Sequence, residues 1–400
     1  MVRCSALLCG TATVSEALKH GRDSRKLPPH LLQFSSDLRP LVVWNTTNRC
    51  NLTCSHCYLD AEDRDYANEL SHEEAQAFID DIAEMKCPVL LLSGGEPLLR
   101  DRIYDLIAYA KDRGTRPVLS TNGTLITPEV AKRLHDAGIM YVGVSIDGLP
   151  ETHDRFRGRK GAFDAAMAGI RNAHEAGLKT GVRFTAHEAN AGELGELVDL
   201  IAERGVPRFC LYHLVYAGRG GDMKHRDTDH ATKRRTIETL IEKALEAERK
   251  GTAIEILTVD NHADGIAIRH YIAEHQPERL AEVDRLISFH GGCSAGTKMA
   301  NVDPYGNVHP CQFWGHVTLG NVRDRKFSEI WTDPDDELLV KLREKDKHLK
   351  GRCGSCNFRS FCGGCRIRAE ATTGDPWEAD PACYLTDAEI EAAAITAAVD

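Results

Sequence analysis

The chain has 400 residues, 42% of them hydrophobic, enough for one large core and a smaller module but not for three full domains. Fifty basic and 60 acidic side chains leave a net charge of −10, and no lysine- or arginine-dense run follows a phosphate backbone, which argues against a nucleic-acid partner. No run approaches eighteen apolar residues and residues 1–10 carry no evident cleavage site, so neither a membrane span nor a signal peptide is expected.

In chain order, residues 1–40 read as an N-terminal extension. From 41 to 215, short apolar runs alternate with longer amphipathic ones. Strands are expected at 41–44, 89–92, 117–119, 141–146, 180–185 and 209–215. Between them, 71–85 opens with a serine cap and acidic Glu73 and Glu74, and 128–137 opens with a proline after Thr127, both helix starts. Six strand-helix units in succession predict an α/β fold with a parallel sheet, two units short of a closed barrel. Residues 216–288 are rich in charge and alanine and read as a helical bridge. A glycine-rich, cysteine-rich module at 289–385 is expected to owe its order to ligated metal, and 386–400 reads as an acidic helical tail.

The functional residues in such sheets lie at the carboxyl ends of the strands. The first expected strand is followed by Cys50, Cys54 and Cys57, the second by Ser93-Gly94-Gly95-Glu96-Pro97, the third by Ser120-Thr121-Asn122-Gly123, and the fourth by Ser145-Ile146-Asp147-Gly148. The first group is C-x3-C-x2-C. Three thiolates on a four-iron cluster leave one iron open, which suits a site where a cofactor chelates. A zinc knuckle is the alternative, but zinc favours paired C-x2-C spacings and a closed four-ligand shell. The chain has fourteen cysteines, ten of them in two groups, which indicates metal ligation in a reducing cytoplasm and not a disulfide framework.

The triad with Tyr58 after it, the Gly-Gly-Glu-Pro run and the polar strand ends together resemble the radical S-adenosylmethionine (SAM) superfamily over residues 40 to 215. The resemblance implies a partial (β/α)6 barrel of the TIM type. It also implies a [4Fe-4S] cluster on Cys50, Cys54 and Cys57, SAM on the unique iron, and one-electron cleavage to methionine and a 5′-deoxyadenosyl radical. By the same carry-over, Gly94, Gly95 and Glu96 meet the SAM amino group, and Ser120, Asn122, Ser145 and Asp147 lie near its ribose or methionine part. Arg157 is the candidate clamp for its carboxylate. Taken alone, each strand-end motif also reads as a simple turn. His56 reads as a residue shielding the cluster.

Seven more cysteines fall in under a hundred residues: Cys293, Cys311, Cys353, Cys356, Cys362, Cys365 and Cys383. They resemble the SPASM domain, with one departure: Cys362 and Cys365 are separated by two residues where that pattern has three. The resemblance implies one or two auxiliary [4Fe-4S] clusters, one on Cys353, Cys356, Cys362 and Cys383, the other on Cys293, Cys311 and Cys365. The second set is one ligand short, leaving an open iron, a non-cysteine ligand or an altered assignment. Cys4, Cys9, Cys87 and Cys210 read as buried thiols.

The segments 7–10, 27–35 and 42–45, and the shortened Cys362–Cys365 block with its surroundings, resemble the haem-maturation branch, the enzymes that deacetylate didecarboxysirohaem or build haem d1. That resemblance implies an iron tetrapyrrole substrate from which acetate side chains are removed, and a one-electron reductant such as a flavodoxin or ferredoxin. Arg366 and Arg368 are available for substrate carboxylates but read individually as solvated surface charges. His309 and His316 are candidates for an axial ligand of the iron. A SPASM maturase acting on a ribosomal peptide, and an iron-sulfur or zinc scaffold without activity, stay open as alternatives. The first is disfavoured by the short 1–40 segment and the second by the SAM-facing motifs.

Overall fold

A computed structural model of the chain describes residues 1–10, 39–290 and 292–392. The 27–35 stretch and the end of the expected tail lie outside the described residues.

All six expected strands are present: β1 (Leu41–Asn45), β2 (Leu90–Ser93), β3 (Pro117–Thr121), β4 (Val142–Ser145), β5 (Thr180–Ala186) and β6 (Arg208–His213). They pair in parallel in sequence order, with Val42 against Leu90, Leu119 against Val142 and Val182 against Phe209. Most of their apolar side chains are buried, Leu41, Leu91 and Val118 being half-buried, as suits a sheet covered by crossover helices. The helix signals hold as well. Ser71 and Glu74 form a reciprocal capping box on His72–Glu84, and the Thr127 hydroxyl accepts from Val130 N ahead of Pro128–Ala137.

Two further parallel strands flank the six. Inside 216–288, expected to be helical, β7 (Glu255–Val259) pairs in parallel with β6, and β8 (Met299–Val302) pairs in parallel with β1 at the other edge. Long helices do flank β7, at His230–Lys250 and Ala263–His275. The N-terminal segment joins the same edge, since Val2 N and O bond Thr258 O and N at 2.7 and 2.9 Å.

From β8 the chain turns through β9 (Asn307–His309) and β10 (Gly320–Asn321), an antiparallel meander that makes the C-terminal module continuous with the barrel sheet. This module was expected to depend on metal for its order. It also buries Trp314, Phe327, Trp331, Leu339, Leu342 and Phe358, so apolar packing contributes beside ligation. Cys4, Cys87 and Cys210 are buried and Cys9 is half-buried. Among the described residues no helix is long and apolar enough to cross a membrane.

Candidate active site and iron-sulfur centres

The triad loop leaves β1 at the carboxyl end of the sheet. Cys50 and Cys54 are buried and Cys57 half-buried. Backbone bonds fix the loop: Cys50 N donates to Glu62 O at 3.0 Å, and Ser55 N to Phe156 O at 3.0 Å. Arg219, which the sequence did not single out, grips it from the far side with Nε on Cys54 O at 2.9 Å and its backbone N on Cys57 O at 2.9 Å. Burial pushes the Cys50 thiol up to about 12 and raises that of Cys54, so free thiols here stay protonated. Iron supplies the charge that makes them thiolates.

Gly94 and Gly95 bring the end of β2 against the segment leading into the triad. Gly95 N donates to Thr47 O and Glu96 N to Arg49 O, both at 2.8 Å. A Cβ on Gly94, where φ is +133°, would stand 2.5 Å from Thr47 O, and one on Gly95 would stand 2.3 Å from Arg49 O. Only glycine fits either position. Glu96 is fully buried and its carboxylate clamps β2 to β3, accepting from Thr121 Oγ1 at 2.8 and 2.9 Å, from Asn122 N at 2.9 Å and from Leu98 N at 3.2 Å. Burial raises its pKa to about 7 against these donors.

Asn122 links β3 to the triad loop, with Nδ2 on Asn51 Oδ1 at 2.8 Å. Ser120 accepts from Arg183 of β5. Ser145 is half-buried at the end of β4. Asp147 is buried, accepts from Thr185 N at 2.7 Å, and pairs with Arg157. Arg157 also directs Nη1 to Cys54 Sγ at 3.5 Å. His56 stacks on Phe156 at 4.4 Å, and Phe156 on His187 at 4.1 Å. Burial lowers the His56 pKa to about 3, so it stays neutral. Arg157 Nε, His56 Nδ1, His187 Nε2 and Asn48 Oδ1 are buried without a hydrogen-bond partner among the described residues. A polar cofactor seated beside the triad would satisfy such atoms, and the donor set fits a [4Fe-4S] cluster with SAM.

The C-terminal cysteines separate into two groups. Cys353, Cys356, Cys362 and Cys383 line one cavity of about 580 Å³, while Cys293, Cys311 and Cys365 gather in another apolar cluster with Trp314 and Ile367. The shortened loop therefore still sends Cys362 and Cys365 to different groups. The four-thiol group receives several donors: Arg352 Nη1 on Cys383 Sγ at 3.2 Å, Phe358 N on Cys356 Sγ at 3.3 Å and Asp380 N on Cys353 Sγ at 3.4 Å.

Arg366 and Arg368, read as surface charges, are both fully buried. Arg366 bonds the carbonyls of Pro376 and Glu378 at 2.6 and 2.8 Å. Arg368 pairs with Asp380 at 2.9 Å and bonds Leu214 O at 3.2 Å. Carbonyls take up most of the Arg366 donors, its Nε being buried without a hydrogen-bond partner among the described residues, and Asp380 with a carbonyl takes up those of Arg368, which is how buried guanidinium groups persist.

A cavity of about 620 Å³ lies where the barrel mouth meets the C-terminal module, lined by Tyr58, Asp60, Tyr216, His309, Phe313 and His316 among others. Tyr58 and Phe313 bridge the two parts edge to face at 5.3 Å. His309 is buried, with Nδ1 on Val317 O at 2.7 Å and Nε2 3.4 Å from Asp303. His316 is exposed, with Nε2 on Glu370 at 3.0 Å.

A partial barrel with a three-thiol loop at its mouth and a second, multi-cysteine module across a shared cavity defines an iron-sulfur enzyme that works on a chelated cofactor. The model of the radical SAM superfamily matches residues 44–201, and that of an iron-sulfur cluster-binding domain, SPASM, matches 293–357. The chain is 50% identical over 394 residues to the Fe-coproporphyrin III synthase of Methanosarcina barkeri, covering 98% of this chain and 99% of that one. It is 45% identical over 365 residues to the pre-heme d1 synthase of Dinoroseobacter shibae, covering 90% of each. Among solved structures, SuiB of Streptococcus suis bound to S-adenosylmethionine has the same fold, with a TM-score of 0.68 at 20% identity over 86% of this chain and 77% of that one. The chain belongs to the radical SAM superfamily, with a SPASM-type domain, and falls among its haem-maturation members. It is an enzyme that uses SAM, a [4Fe-4S] cluster at the barrel and auxiliary iron-sulfur clusters.

Proposed function

We propose that the enzyme removes acetate side chains from an iron tetrapyrrole, converting didecarboxysirohaem to Fe-coproporphyrin in haem or haem d1 biosynthesis, fed by a flavodoxin or ferredoxin in the cytoplasm. The observation that carries this reading is the 50% identity to an Fe-coproporphyrin III synthase along nearly the whole of both chains. The cavity between triad loop and C-terminal module supports it, being within the size range of small-molecule and cofactor sites.

When bound, the barrel cluster and SAM together supply a one-electron cleavage that yields the 5′-deoxyadenosyl radical. The chain's own residues arrange that event. Cys50, Cys54 and Cys57 hold the cluster, and Gly94, Gly95, Glu96, Asn122, Ser145, Asp147 and Arg157 form the SAM side of the site. Within this set, the two glycines and Glu96 fix the β2 end against the loop, and Asn122 ties β3 to it. Arg157 and Asp147 place a balanced charge pair beside Cys54. The cysteines of the C-terminal module hold the auxiliary clusters. Tyr58 and Phe313 bridge the two parts edge to face and line the cavity between them.

Anaerobic incubation of the reconstituted protein with SAM, a reductant and didecarboxysirohaem, read by mass spectrometry, tests the proposal. Loss of two acetate groups from the tetrapyrrole is expected. An unchanged tetrapyrrole, with SAM consumed, would overturn it.

A further inference from the structure

The cavity between the barrel mouth and the C-terminal module is walled in part by Tyr58, Tyr216, Tyr305 and Phe313, rings that suit a flat conjugated ligand. Two imidazoles also line it, and among the described residues no cysteine or methionine does. Iron in a tetrapyrrole plane takes a histidine as axial ligand when one ring nitrogen offers a free lone pair. His309 has none to offer: its side chain is 3% exposed, with Nδ1 on Val317 O at 2.7 Å and Nε2 3.4 Å from Asp303.

His316 differs on both counts. Its side chain is 66% exposed, and Gly315 beside it lines the same cavity at a point where an added Cβ would meet nothing within 4 Å. The ring is nonetheless held. Nε2 lies 3.0 Å from Glu370 Oε2, so in a neutral ring the hydrogen sits on Nε2 and the lone pair on Nδ1. Glu370, on the helix Arg366–Thr373, is fixed in turn, since the same oxygen accepts from Nε1 of the buried Trp314 at 2.6 Å. Nδ1 has no hydrogen-bond partner among the described residues. A carboxylate that takes the N–H of one ring nitrogen while the other ligates is the arrangement that orients metal-bound histidines.

We infer that His316, through Nδ1, is the axial ligand of the substrate iron, with Glu370 and Trp314 as positioning residues, an inference that rests on the proposed tetrapyrrole substrate. One coordinate bond then fixes the iron in the cavity, and with it the reach from the peripheral acetates to the barrel mouth.

The test uses the full chain with its clusters reconstituted and ¹⁵N in its histidine rings, and ferric didecarboxysirohaem and Fe-coproporphyrin as probes. Pulsed EPR of the bound ferric iron reads whether a histidine nitrogen is coordinated. The parent is expected to show the ¹⁵N coupling, His316→Ala to lose it, and His316→Gly to regain it with added ¹⁵N-imidazole. Glu370→Gln is expected to keep the coupling and to bind the probes roughly tenfold more weakly. A bound probe without the coupling in the parent, or with the coupling retained in His316→Ala, would overturn the inference. Should His316→Ala bind neither probe, His316→Gly decides: restoration by imidazole supports the ligand, and no restoration excludes it. If the parent converts didecarboxysirohaem without histidine coupling, this inference alone falls. If the parent binds neither probe, the proposed substrate falls with it.

Discussion

Arg157 stands between the first cluster site and a buried carboxylate: Nη1 reaches Cys54 Sγ at 3.5 Å while Nη2 pairs with Asp147. A donor aimed at a cluster sulfur stabilises the reduced, more negative cluster, and the pairing with Asp147 keeps that donor in place. The guanidinium is thus already engaged, with Nε left to a cofactor.

Arg157→Gln is expected to lower the reduction potential of the barrel cluster. A hydrogen bond to a charged group contributes about 1.5 kcal/mol or more, which corresponds to roughly 60 mV for one electron. An EPR-monitored redox titration checks the shift. An unchanged potential would remove Arg157 from cluster tuning.

Glu96 gives the fold a pH dependence of defined sign. Its pKa is raised to about 7 by burial, so between roughly pH 4.5 and 7 the folded chain binds a proton that the unfolded chain has released. Stability therefore falls as pH rises through this window and levels off above it, by on the order of 3 kcal/mol at most. Glu96→Gln is expected to abolish the slope while lowering stability overall, because one amide oxygen replaces two acceptors among four contacts. Denaturation midpoints at pH 5 and 7.5 for both proteins check this.

Gly94→Ala and Gly95→Ala are expected to destabilise the chain by about 1–3 kcal/mol or more, because each methyl meets backbone oxygens that cannot step aside. The displaced segment carries Thr47 and Arg49 into the triad loop, so barrel iron is lost with it. Iron content and melting temperature of the two variants, set beside those of Gly192→Ala, whose added Cβ meets nothing within 4 Å, read the effect.

The separation of the C-terminal thiols predicts which substitutions share a phenotype. Cys362→Ser is expected to alter the same EPR species as Cys383→Ser, and Cys365→Ser the same species as Cys293→Ser. Cys362→Ser and Cys365→Ser acting on one species would contradict the crossed arrangement.

Much of this architecture is legible in the sequence. Runs such as Leu41–Asn45 announce themselves because a parallel strand covered on both faces must be apolar throughout, and the polar groups then stand out at its end. Strand β7 escaped notice because it opens with Glu255 inside a charge-rich stretch. That carboxylate is held by Arg208 of β6 at 2.7 Å, a cross-strand pair that no single segment shows. Arg366 and Arg368 were misread for the same reason, since their partners lie outside their own helix. Arg183 did leave a trace, a charge within the buried strand Thr180–Ala186. The grouping of the seven thiols came from resemblance, because spacing alone does not tell which cysteines meet in space.

The proposed chemistry starts with SAM cleavage at the barrel triad. The most direct measurement is the yield of 5′-deoxyadenosine from SAM and dithionite, compared between the reconstituted protein and its Cys54→Ala variant with the auxiliary clusters verified intact by EPR. Production by the parent and none by the variant is predicted. Equal production by both, or none by a parent with a full complement of iron, would contradict it.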